Sequence, residues 1–177
     1  LKISKIFAIP IILLSLLFPE KEHYNKLLYN SSIFLFFIVV LQIIYGAFVA
    51  GLDAGKIYNT WPKMHEQWIA ESVYAMTPVW SNFVNGLAGV QFIHRWLAYI
   101  VLAIVIFMFF KSRNFNLSKI EVNAINIVSI VVFLQVVLGV ITLIYGVPIW
   151  LGVIHQLGAF LLLASTVFCL FIFKKTT

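Results

Sequence analysis

The chain has 177 residues, of which 63% are hydrophobic and 10% charged. That is far from the soluble average of about half and one quarter, and a water-facing globular surface cannot be built from it. A net charge of +6 would point to nucleic acid in a soluble domain, but here the cations fall in short segments between apolar runs, where they report membrane topology, and nucleic acid is set aside as a partner.

Residues 6–18 form an apolar run of 13 residues containing Pro10 and preceded by Lys2 and Lys5. The run is short for a span, and Phe18-Pro19-Glu20 offers no small-residue signal cleavage site. Residues 1–31 are therefore expected to be the remnant of an upstream helix or an interfacial segment, followed by an inner loop. Four stronger segments follow at about 33–51, 87–110, 125–144 and 149–173, each long enough to cross ~30 Å of hydrocarbon at 1.5 Å per residue. Residues 122–173 run for 52 residues without a formal charge, two spans joined by a turn. Such continuous apolar runs lack the alternation of a barrel strand, so helices are the expected way across. Cys169, the only cysteine, lies in the last run and reads as a small buried residue; no disulfide framework or paired-cysteine site is possible within the chain.

Lys21, Lys26, Lys111, Arg113, Lys119, Lys174 and Lys175 fall on one side of these spans, and only Lys56 and Lys63 on the other. The bias places both ends of the four-helix unit on the cytoplasmic (or matrix) side, with the loop 52–86 and the Tyr145-Gly146-Val147-Pro148 turn outside. The chain also repeats itself. Leu41-Gln42-Ile43-Ile44-Tyr45-Gly46 matches Leu134-Gln135-Val136-Val137-Leu138-Gly139, and His94-Arg95-Trp96-Leu97-Ala98-Tyr99 matches His155-Gln156-Leu157-Gly158-Ala159-Phe160. The expected fold is an all-α integral membrane bundle of four transmembrane helices over residues 32–177, built from two parallel helical-hairpin repeats about an axis along the membrane normal. Gln42, Gln135, Gly46 and Gly139 read as close-packing positions.

His94 and His155 lie at one depth, ~9–11 Å below the outer boundary, on helices that the repeat relates to each other. Zinc would want four N, S or O ligands, and no cysteine or carboxylate lies near either histidine within its helix. A heme iron needs only two axial imidazoles and brings a large apolar ring suited to such a bundle. The competing reading is a histidine that hydrogen-bonds helix to helix. Arg95 has two open roles, pairing with a heme propionate or snorkelling to the headgroups. His23 reads as solvated and His65 as an accessory candidate. The loop 52–86, with its glycines and tryptophans, reads as an ordered cap with amphipathic helical stretches, or as an aromatic interface belt.

Taken in order, Leu41-Gln42, then residues 46–55 as Gly-Ala-Phe-Val-Ala-Gly-Leu-Asp-Ala-Gly, Tyr58-Asn59-Thr60-Trp61-Pro62-x-Met64, Gln91-Phe92-x-His94-Arg95, Leu138-Gly139 and His155-Gln156-x-Gly158-Ala159 strongly resemble the second half of heme A synthases of the proteobacterial and mitochondrial type. The resemblance covers residues 32–173. It implies that His94 and His155 are the axial ligands of a heme b, with Arg95 beside it. It further implies a membrane oxidoreductase of the bacterial or mitochondrial inner membrane, oxidising the C8 methyl of heme O through successive hydroxylation and a geminal diol to the formyl of heme A. The partners implied are heme O, the N-terminal half of the synthase on the same or a separate chain, an electron donor such as a ferredoxin or quinol, and heme O synthase as a further candidate. A six-coordinate bis-histidine heme has no open iron position and suits electron transfer. A stand-alone b-type cytochrome electron carrier is the alternative.

Overall fold

The computed structural model describes residues 25–174; the expectations for residues 6–18 and His23 lie outside them. Four long helices make up the fold: α1 (Lys26–Gly51), α2 (Leu87–Ser112), α3 (Lys119–Ile144) and α4 (Ile149–Phe173). All four are long and apolar enough to cross a membrane; at 26 residues a helix extends about 39 Å. No strand is found among the described residues.

Two helices begin earlier than hydropathy alone places them, because polar caps start them. Asn25 accepts the Leu28 N–H at 3.0 Å and opens α1. Ser118 and Glu121 form a capping box at the start of α3, the serine hydroxyl accepting the Glu121 N–H while the carboxylate accepts the Ser118 N–H at 2.9 Å. At α4 the start is Pro148, which needs no N–H in that place.

α1 packs on α2 and α4, and α3 packs on the same two, closing a four-helix ring. One end of the ring holds a continuous apolar core in which Leu28 and Leu35 of α1 meet Met108 of α2, Ile125 of α3 and Cys169 and Phe173 of α4. The start of α1 and α3 thus meets the end of α2 and α4, an up-down-up-down arrangement. Buried hydroxyls here donate along their own helices: Ser32 to Leu28 O, Thr166 to Leu162 O, Ser165 to Leu162 O. That is the economical answer where no water is at hand. Phe34 and Phe37 of α1, Phe107 and Phe110 of α2, Ile130 and Phe133 of α3, and Phe160 and Leu161 of α4 are exposed, an apolar surface that only lipid covers at this extent. The chain is an integral membrane protein.

The loop between α1 and α2 is an ordered cap, built from three short 3-10 turns, Ala54–Lys56, Glu71–Tyr74 and Val79–Phe83. Fully buried Asn82 organises its second half, donating to Met76 O and Val79 O and accepting the Met76 N–H at 2.9 Å. Gly89 of α2 lies directly under the Asn82 carbonyl, where a Cβ would collide. The first half reaches across to the other hairpin. Asn59 donates to Leu143 O of α3 at 2.9 Å, and Gly55 faces Val147, whose Cγ2 would stand 2.8 Å from a Cβ at that glycine. Val147 itself holds φ +57°, a left-handed conformation costly for a β-branched residue.

Replacing Ser118 with alanine removes the capping box and is expected to cost about 1 kcal/mol of stability, read as a lower Tm in detergent. Gly89→Ala lowers Tm further by pushing on the Asn82 backbone, whereas Gly51→Ala, with open space at its Cβ, leaves Tm unchanged or raises it.

Candidate functional site

His94 lies about two turns into α2 and His155 about two turns into α4. Both helices start at the loop end, so both imidazoles sit above the apolar core, on the two helices that α1 and α3 separate. Each ring lies against a glycine of the preceding helix. A Cβ at Gly46 of α1 would stand 3.2 Å from His94 Cε1, and one at Gly139 of α3 would stand 2.9 Å from His155 Cε1. The close approach expected at these glycines is therefore to a ring, and any side chain there would displace it.

The matched glutamines differ. Gln135 Nε2 donates to the His155 backbone carbonyl at 2.8 Å, with its own carbonyl filling the place a Cβ at Gly158 would need. Gln42 instead turns its amide to the other imidazole, Nε2 to His94 Nε2 at 3.4 Å. The repeat singled out both positions; only the packing tells their roles apart.

Arg95 turns its two terminal nitrogens to the loop and not outward to the headgroups. The residue is 9% exposed, and its guanidinium lies under the loop. Nη1 donates to Thr60 O at 2.9 Å and Lys63 O at 3.1 Å, and Nη2 to Tyr58 O at 2.6 Å. Gln91, one turn earlier, donates to the same Tyr58 carbonyl at 3.2 Å. Residues 58–63 are thereby clamped onto α2 beside His94. His65 stays with the loop, exposed, its ring edge-on to Tyr58 at 4.8 Å and its N–H on Thr60 Oγ1 at 2.7 Å, and it does not join the pair. Loop contacts of this kind end on backbone carbonyls, which is why no spacing of side chains announces them.

Among the described residues, the buried side-chain polar atoms without a hydrogen-bond partner are Gln42 Oε1, His94 Nδ1, Arg95 Nε and His155 Nδ1. All four belong to this one end of the bundle. Each such atom costs on the order of 1–3 kcal/mol in an apolar interior, so their convergence calls for a ligand. No group of three or more His, Cys, Asp or Glu among the described residues could hold a metal ion, which disfavours zinc. The donor set suits a heme iron: two imidazoles, glycine-cleared surroundings and apolar helices.

Fold and site define a polytopic helical membrane protein with a pair of half-buried imidazoles between its spans. The family model described as cytochrome oxidase assembly protein matches residues 6–167. The chain is 47% identical to the heme A synthase of Flavobacterium psychrophilum over 92% of its own length and 48% of the relative's, and 44% identical to that of Flavobacterium johnsoniae over 89% and 47%. The heme A synthase of Wolbachia pipientis wMel is 39% identical over 79% of this chain and 38% of the relative. The chain belongs to this family of cytochrome oxidase assembly proteins, whose relatives here are named heme A synthase. It spans about half the length of the curated relatives it matches. No solved structure matches it.

Arg95→Met keeps the side-chain volume and removes the clamp. Hydrogen bonds to a charged group contribute about 1.5–3 kcal/mol each, so trypsin is expected to cut after Lys56 and Lys63 more than about tenfold faster than in the unaltered chain. Arg95→Lys falls between, since an ammonium cannot span the three carbonyls.

Proposed function

We propose that this chain is the heme b-binding, C-terminal half of a heme A synthase, an oxidoreductase that converts the C8 methyl of heme O to the formyl of heme A for cytochrome oxidase assembly. The observation that carries the reading is the pair of half-buried imidazoles, each lying against a glycine of its neighbouring helix and each with a buried ring nitrogen, Nδ1, lacking a partner. His94 and His155 would hold the iron from opposite sides. A heme held by both histidines would supply one-electron transfer. The apolar core below the site keeps water out from one end, and the Arg95 clamp holds the loop over the other. Arg95 Nε, which makes no bond within the protein, is the donor left for a propionate, so Arg95 serves the cofactor chiefly by positioning the cap.

Oxidation of heme O then falls to the combination of this bundle with the N-terminal half, and the electron donor is a ferredoxin or quinol. The lysine bias supports an orientation with residues 52–86 on the outer face, and the likeness to heme A synthases supports a bacterial or mitochondrial inner membrane. Residues 32–177 act as the cofactor-binding unit.

Purified in detergent, the chain is expected to carry a Soret band and a sharp reduced α band. H94A and H155A each lose the six-coordinate low-spin spectrum, and the double variant loses the pigment. Gly139→Leu, which removes no ligand, should deplete pigment as H155A does, because the side chain occupies the place of the ring. A full pigment load in the double variant would overturn the reading. Adding heme O, dioxygen and a reduced ferredoxin or quinol together with the N-terminal half of the Flavobacterium psychrophilum relative is expected to yield heme A by mass; pigment without any heme A under those conditions would favour a stand-alone b-type cytochrome.

A further inference from the structure

The end of the bundle away from the loop carries cations that its own residues do not answer. Lys26 opens α1, Lys111 and Arg113 close α2, and Lys119 opens α3; all four are exposed. α2 packs on both α1 and α3, so these charges stand on three adjoining helix ends. Among the described residues no carboxylate pairs with any of the four. Glu121, the acid beside them, is buried and accepts the Ser118 N–H and hydroxyl of its own capping box at 2.9 Å. The loop end is built otherwise: Lys56 pairs with Asp53 at 2.7 Å, and Lys63 lies over the Trp68 ring.

A one-sided excess of cations orients a membrane chain and binds nothing by itself, but two further features make a place here. The Arg113 guanidinium lies over the Phe109 ring, 4.6 Å from its centroid, which holds the planar fork of donors in one position. Exposed apolar side chains also stand about one turn deeper than the cations on the same helix faces: Phe107 four residues before Lys111 and Val122 three residues after Lys119, with Phe110 beside them. A ligand fitted to this surface needs an anionic head for the cations and hydrocarbon for the side chains below; a free phosphate has only the first. We propose that the α2–α3 turn, completed by Lys26, is a binding site for an anionic phospholipid. Arg113 takes the phosphate through paired N–H donors, Lys111, Lys119 and Lys26 add point charges, and the acyl chains lie along Phe107, Phe110 and Val122. The lipid ties together three helix ends that the cap, at the other end, does not reach.

The test takes the whole chain in detergent and titrates it with phosphatidylglycerol, phosphatidylcholine or inorganic phosphate, reading bound lipid by native mass spectrometry and stability by Tm. Phosphatidylglycerol is expected to stay bound and to raise Tm, and phosphatidylcholine and inorganic phosphate to do neither. K111Q/R113Q/K119Q loses ~100-fold in apparent affinity for phosphatidylglycerol, whereas K56Q/K63Q at the loop end keeps the affinity of the unaltered chain. R113K, which retains the charge without the fork, weakens binding less than R113Q. A triple variant that binds phosphatidylglycerol as tightly as the unaltered chain overturns the proposal, and so does equally tight binding of phosphatidylcholine. A Tm raised by inorganic phosphate alone makes the turn a free-anion site and overturns the lipid assignment. If the triple variant does not fold, R113Q, which changes one exposed side chain, is read in its place by the same criteria.

Discussion

A bilayer supplies no hydrogen-bond partners, so each polar group taken inside the bundle has to be matched by the protein or by something the protein holds. This requirement sorts the molecule into two ends. At the core end it is met cheaply, by hydroxyls of Ser32, Ser165 and Thr166 bonding back along their helices, and the rest of the space is aliphatic and aromatic. At the loop end it is met by long-range contacts: Arg95 and Gln91 take loop carbonyls, and Asn59 takes a helix-terminal carbonyl of α3. Among the described residues, what that end leaves unmatched lies on Gln42, His94, Arg95 and His155.

The two hairpins share a way of accommodating a ring and differ in almost everything around it. Gly46 and Gly139 stand in the same relation to His94 and His155. The residue after each histidine does not: Arg95 is buried beneath the cap, while Gln156 is exposed. α2 is accordingly burdened with holding the loop, and α4 is held by α3 through Gln135. Similar halves can in this way present a cofactor with two unlike faces.

Much of the architecture was readable from apolar run lengths alone, because in lipid the run length is the helix. The misjudged ends were those of α1 and α3, which begin at Lys26 and Lys119 and not near 33 and 125. Hydropathy fails there because Asn25 and the Ser118 and Glu121 pair are polar residues whose work is to start a helix; the Ser-x-x-Glu spacing was present to be found. The similar depth of His94 and His155 followed from helical rise, each lying about two turns into its helix. The clamp by Arg95 did not, since its partners are main-chain carbonyls of Tyr58, Thr60 and Lys63, and every residue has one. The divergence of Gln42 from Gln135 was equally hidden, as identical residues at matched positions differ only in what packing puts beside them.

The segment joining α1 to α2 does not stay with its own hairpin. Asn59 is bonded to the end of α3, and Gly55 receives the side chain of Val147 from the α3–α4 turn, a residue whose left-handed backbone is tolerable only while something holds it. The connector is thus a strap buckled across both hairpins. With that end fastened, the bundle can splay only from the opposite membrane face, like a clothes peg hinged at its loops, and any cofactor entering between the spans would have to come in through the seams between helices and not through the capped mouth.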